Sequence, residues 1–113
     1  MAKLESKLEQ DLVDACADQG MSCLKLVEVG RKGFPDRTIM ADMTPPVYVE
    51  VKRDAKHGLS PHQVERKEEL EARGYTVLVL DRTDQIADII SHVRNKAPYM
   101  VQQNRVVVGL RHE

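Results

Sequence analysis

The stretch that decides the fold is VYVEVKR, residues 47–53, read with GFPDR, residues 33–37, just upstream. Val47, Val49 and Val51 alternate with Tyr48, Glu50 and Lys52, the period of a strand with one apolar face. The other face then carries an acid and a base side by side. A small α/β domain normally covers that face, so the pair needs a reason. One is a cross-strand ion pair on an exposed edge strand, worth about 0.2–1 kcal/mol; the other is a site.

Working outward, residues 4–19 read as a helix, with Leu8, Leu12, Ala15 and Cys16 at helical spacing and Gly20 as a stop. SCLKLVE (22–28) alternates as a strand with Cys23 or Leu24 facing in, and VGRKGFP is a loop punctuated by Gly30, Gly33 and Pro35. RTIMAD (37–42) predicts a second strand, MTPP a turn, 47–53 a third strand and DAKHGL a polar loop. Ser60 is placed as an N-cap, with Pro61 at the first helical position and Gln63 three residues after the serine. That helix runs to Arg73 and stops at Gly74. YTVLVLD (75–81) is almost continuously apolar, which predicts a central or near-central strand. Thr83 is read as the cap of a last helix bearing a stripe of Ile86, Ile89, Ile90 and Val93, ended by Pro98, and RVVVGL (105–110) offers one more strand. The order α-β-β-β-α-β-α predicts an α/β fold, a mixed sheet flanked by helices.

At 113 residues the chain predicts one domain over 1–113, with a core built from Val, Leu, Ile and Met, since it holds one Phe, three Tyr and no Trp. No apolar run approaches the roughly 20 residues of a membrane span, and MAKLESKLEQDL lacks the apolar stretch of a secretory signal. Cys16 and Cys23 have neither metal-site spacing nor a disulfide framework, and read as reduced thiols of a cytoplasmic protein. The net charge of −1 makes no global case for nucleic acid, but its distribution is uneven: residues 25–67 hold nine bases and six acids, whereas 1–24 hold two and five.

An E-x-K spacing alone means little: Glu5-Ser-Lys7 and Glu65-Arg-Lys67 share it, but in predicted helices, where i and i+2 point apart. Only Glu50-Val-Lys52 sits in a strand. Asp36 adds to it, because the hairpin arm 37–46 returns Asp36 beside strand 47–53, on backbone stiffened by Pro35 and freed for close approach by Gly33. Two converging carboxylates repel unless a cation lies between them. Hard oxygen ligands without a His or Cys cluster select Mg²⁺ or Mn²⁺. Such an ion sets up phosphodiester hydrolysis, with a nearby lysine to stabilise the phosphate or orient the attacking water.

GFPDRTIM, VYVEVKR and GLSPHQ, taken together, resemble the PD-(D/E)xK nuclease superfamily and, within it, the VRR-NUC (virus-type replication-repair nuclease) domain. The likeness is strongest over residues 4–90, with 98–113 a C-terminal extension. LESKLEQDLVDACADQGMSCLKL looks like that family's opening helix and first strand. The resemblance implies a restriction-endonuclease-like α-β-β-β-α-β core in which Asp36, Glu50 and the Val51 carbonyl ligate Mg²⁺ or Mn²⁺. It further implies that Lys52 is the catalytic lysine and that Gln63 reaches into the site from its helix. A first-helix acid would complete the site; Glu5 and Glu9 both fit, and Glu9 aligns with the family's acid.

Gln63 also suits a plain capping box, and Glu9 a solvated helix surface. Lys25, Arg31, Lys32, Arg37, Arg53, Lys56 and His57 either line a path for DNA phosphates or form a solubilising surface. Tyr48 has no role in this reading. The resemblance implies a DNA endonuclease leaving 5′-phosphate and 3′-hydroxyl ends, similar to the homodimeric Holliday-junction resolvases of phage and bacterial cells. The competing expectations are a silent nucleic-acid-binding module of the same fold and a structural subunit with no divalent-metal response.

Overall fold

The computed structural model describes residues 2–52 and 58–95, the side chains of residues 2–5 excepted. Arg53, Lys56, His57, Pro98 and RVVVGL lie outside the described residues. The elements, in chain order, are α1 (Ala2–Asp18), β1 (Ser22–Leu24), β2 (Arg37–Met40), β3 (Val47–Val51), α2 (Pro61–Ala72) and β4 (Thr76–Leu80). A 3-10 turn, Thr83–Gln85, then leads into α3 over residues 86–95. The sheet has four strands in the order β1-β2-β3-β4. The first two pairings are antiparallel and β3 runs parallel to β4, so the fold is the expected mixed sheet with helices.

The register divides the sheet into two faces. Cys23, Ile39, Val47, Val49, Val51, Leu78 and Leu80 share the first, since Cys23 pairs with Ile39, Ile39 with Val47, and Val49 and Val51 with Leu78 and Leu80. Against it pack Leu8, Leu12 and Cys16 of α1 and Ile86, Ile89, Ile90 and Val93 of α3, in one core cluster. Leu12, Ile39, Val47, Val49, Leu80 and Val93 are wholly buried. The α1 stripe and the α3 stripe are the ones the helical period predicts.

The second face carries Thr38, Tyr48, Glu50, Val77 and Val79. Parallel pairing of β3 with β4 demands a crossover connection, and α2 supplies it. Ser60 caps α2: its Oγ accepts from Gln63 N at 3.2 Å, and Gln63 Oε1 accepts from Ser60 N at 2.8 Å. This is the predicted capping box. At the far end, Gly74 N donates to the Glu71 carbonyl and Tyr75 N to the Leu70 carbonyl, which closes the helix.

Four local expectations are corrected. β1 stops at Leu24 instead of 28, because its partner β2 begins only at Arg37 and Pro35 beyond it has no N–H to offer. Likewise β2 stops at Met40 rather than 42, where the Ala41 carbonyl turns to accept from Thr44 N and Oγ1. β4, expected at a central or near-central place, closes the sheet among the described residues. Its apolar run is explained instead by cover on both faces: Leu80 lies in the core and Val77 is buried under the crossover. At the start of α3 it is Gln85, not Thr83, whose side chain takes backbone donors, from Asp81 N at 2.8 Å and Arg82 N at 3.1 Å.

Candidate active site

β3 has neighbours on both sides, so Glu50 and Lys52 do not belong to an exposed edge. Glu50 is 2% exposed, an unusual position for a carboxylate. Lys52 follows the last residue of β3 and is held there by its own backbone, which donates to the Leu80 carbonyl at 2.7 Å.

Asp36 comes to the same end of the sheet. Arg37 pairs with Val49 and Thr38 with Tyr48, so continuing the register by one residue sets Asp36 across from Glu50. Opposed residues in an antiparallel pair lie on one face. Asp36 Oδ2 accepts a 2.7 Å hydrogen bond from Val51 N, a charge-assisted contact that fixes the carboxylate against β3. The Val51 carbonyl belongs to the next peptide along.

Gln63 enters from α2. Its Oε1 accepts from Lys52 Nζ at 2.8 Å while also accepting from Ser60 N at 2.8 Å. A carbonyl oxygen has two lone pairs, so both bonds coexist. The two readings of Gln63, cap and site residue, are therefore compatible. Gly33 makes this arrangement possible: at φ +92° it lies so close to α2 that a Cβ there would sit 2.3 Å from the His62 carbonyl oxygen. Only glycine satisfies both the backbone angle and the approach.

Glu9 stands apart from this group. Its Oε2 accepts from Arg37 Nε at 2.6 Å, and Arg37 also donates to the Cys23 carbonyl at 3.3 Å. Arg37, in register with Val49, lies on the helix-packed face, so Glu9 reaches the residue next to Asp36 from the other side of the sheet. Among the DNA-path candidates, Arg37 is thus engaged inside the fold. Arg31 pairs with Glu28 at 2.7 Å and Glu69 at 2.5 Å, which holds the Glu69 carboxyl below the usual range. Lys25 and Lys32 are exposed. Lys25 and Asp36 border a common cleft of about 200 Å³ with Phe34 and Pro35.

Tyr48 acquires a structural role. Its ring meets Phe34 edge-on at 5.7 Å and Tyr75 at 6.0 Å, a trio that covers the second face beyond Glu50. Burial pushes the Tyr48 phenol up and keeps it neutral. Sequence reasoning also passed over Arg66, which is 5% exposed and stands one helical turn after Gln63; a lone arginine in a charged helix gives no signal of burial.

The donor set of Asp36, Glu50 and the Val51 carbonyl is all hard oxygen. Among the described residues no three His, Cys, Asp or Glu side chains converge as a metal cage. Two carboxylates plus water is the donor set Mg²⁺ ordinarily accepts, since it dehydrates reluctantly. The residues therefore fit such an ion.

Over 80 residues the chain is 32% identical to "Putative nuclease p44" of Acyrthosiphon pisum secondary endosymbiont phage 1, covering 71% of this chain and 85% of that protein. A solved structure described as a VRR_NUC domain aligns with a TM-score of 0.73 at 28% identity, over 79% of this chain and 96% of the other. The chain belongs to the VRR-NUC nuclease family. A further solved VRR_NUC domain protein aligns with this VRR-NUC domain at a TM-score of 0.50 and 28% identity, covering 57% and 55% of the two chains. No family model matches the sequence. Among the described residues of this VRR-NUC domain, no helix is long and apolar enough to cross a membrane.

Proposed function

We propose that this VRR-NUC domain is a DNA endonuclease that hydrolyses phosphodiester bonds with Mg²⁺ or Mn²⁺, acting on branched DNA as a homodimer. The observation that carries the chemistry is the gathering of Asp36, Glu50, Lys52 and Gln63 at one end of β3 and the start of α2, with Glu50 buried and Lys52 held by Gln63. Asp36, Glu50 and the Val51 carbonyl would hold the ion. When bound, it supplies Lewis-acid polarisation of the phosphate and a water acidified for attack.

The protein's own groups do the rest. Gln63 fixes the Lys52 ammonium by accepting one of its three protons, leaving two to face a phosphate. Lys52 then stabilises the charge that grows on the non-bridging oxygens as the phosphorus becomes five-coordinate. In-line attack and departure of the 3′ oxygen give 5′-phosphate and 3′-hydroxyl ends. Asp36, tied to Val51 N, keeps its carboxylate from swinging into solvent. A small domain offers limited surface for reading a junction, which favours two copies acting together.

The test is cleavage of a linear duplex and of a four-way junction in Mg²⁺, in Mn²⁺ and in EDTA, with Lys52→Ala beside the wild type. Paired cuts at the junction that require metal and vanish in the folded variant support the proposal. Absence of cleavage in both metals sinks it.

A further inference from the structure

A second cleft, of about 380 Å³, opens beside the start of α2 and is bordered by Gly30, Arg31, Lys32, His62, Glu65 and Arg66. It lies next to the site just described, because His62 precedes Gln63 and its carbonyl touches Gly33. Its walls hold two arginines and a lysine against one carboxylate. Arg31 is held by Glu28 and Glu69, but Arg66 is not comparably satisfied.

Arg66 is 5% exposed, and its buried Nε makes no hydrogen bond. Among the described residues its guanidinium is ion-paired with the neighbouring Glu65, whose side chain is 68% exposed and free to turn into solvent. A guanidinium carries five N–H donors and keeps its charge. Burying one with donors unmatched is costly unless an acceptor arrives. The acceptor that suits a fixed, forked cation in a cationic cleft is a phosphate, gripped by two oxygens at once.

We infer that this cleft seats a backbone phosphodiester of the nucleic-acid strand, one to a few nucleotides from the bond being cut, with Arg66 as its central contact and Lys32 at its rim. Gln63 and Arg66 are three residues apart on α2, so one helix face addresses both the catalytic lysine and the seated phosphate. The strand is thereby registered against Lys52. The inference rests on the nuclease reading for its substrate, but its test does not need cleavage.

Binding of a labelled duplex and a four-way junction is measured in EDTA as a function of salt, for wild type, Arg66→Gln and Lys32→Ala. Arg66→Gln should weaken both ligands roughly five- to twentyfold at low salt and reduce the log–log salt slope by about one. Duplexes with a single neutral methylphosphonate at successive positions form the second arm. At one position near the cut, neutralisation should weaken the wild type and make Arg66→Gln no worse. Arg66→Gln that melts like the wild type and binds with unchanged affinity and slope overturns the inference. If that variant does not fold, Lys32→Ala takes its place, and absence of coupling to any methylphosphonate overturns it equally. A free-phosphate site only, in which Arg66→Gln abolishes a melting shift caused by inorganic phosphate yet leaves DNA binding intact, also overturns it. A chain that binds through Arg66 but never cuts would instead remove the nuclease reading and leave this one standing.

Discussion

Lys52 Nζ and Gln63 Oε1 lie 2.8 Å apart, joining the end of β3 to the first turn of α2. The lysine's position therefore depends on a helix cap, since the same oxygen also accepts from Ser60 N. Gln63→Ala is expected to cost about 1 kcal/mol of stability through loss of the box and to lower the cleavage rate as well. Ser60→Ala should cost a similar amount of stability while leaving the rate much closer to wild type. Chemical denaturation and single-turnover cleavage, run on both variants, separate the two contributions.

Lys52→Ala removes a cation that touches the reacting phosphate in the proposed mechanism. The cleavage rate should fall roughly 10²–10³-fold, the scale for loss of one group stabilising a developing charge. Its melting temperature should stay close to wild type, because Lys52 contributes little to the core.

Divalent binding to the folded chain should raise its melting temperature progressively, as the logarithm of metal concentration once that exceeds the Kd. The rise should be present in wild type with Mn²⁺ and absent in Asp36→Asn and in Glu50→Gln. A scan against EDTA, with each variant's fold checked by circular dichroism, reads this out. An equal rise in all three proteins would place the ion elsewhere.

Gly33→Ala should destabilise by about 2–4 kcal/mol. A Cβ there meets backbone at 2.3–2.8 Å, on top of the cost of a positive φ. Gly30→Ala is the control: its φ is +84°, but nothing lies within 4 Å, so only the conformational cost of about 1 kcal/mol remains. Gly33→Ala should also lower cleavage in conditions where it is still folded, since α2 and Gln63 would have to shift.

Cys23 and Cys16 should differ sharply in reactivity. The hydrogen bond from the Cys16 thiol, followed by the charge of Arg37, lowers Cys23 despite its burial, whereas the Cys23 bond and burial push Cys16 well above the ordinary range. A lowered thiol holds its thiolate to lower pH than the usual value near 8.5. Iodoacetamide labelling followed by mass spectrometry should mark Cys23 first, with its rate falling off at a lower pH than a free thiol's. Cys16, wholly buried, should react only on unfolding. Arg37→Gln should slow the Cys23 reaction near neutral pH.

The parts of the fold legible in the sequence are those governed by local rules. The valine alternation of β3, the stripes of α1 and α3, and the Ser60–Pro61–Gln63 cap each follow from periodicity or capping chemistry within a few residues. Asp36 was legible because its loop is punctuated by Gly33 and Pro35. What escaped depends on partners far along the chain. β1 ends where its antiparallel partner β2 begins, and β4 closes the sheet among the described residues, its apolar run belonging to the faces covering it. Glu9 is drawn to Arg37, 28 positions away, from the far face of the sheet. Arg66 is buried beside a cleft shared with Gly30, Arg31 and Lys32, residues that only the folded chain brings near. None of these leaves a periodic trace.

The Phe34–Tyr48–Tyr75 contacts have an optical consequence. The chain has no Trp and only three Tyr, and one of them, Tyr48, meets edge-on both Tyr75 and Phe34, the ring that stands two residues before Asp36. Near-ultraviolet circular dichroism is sensitive to such asymmetric ring packing, so the loop bearing the aspartate carries a native chromophore. Any ligand that moves this loop should alter that signal, with no label attached and no residue changed.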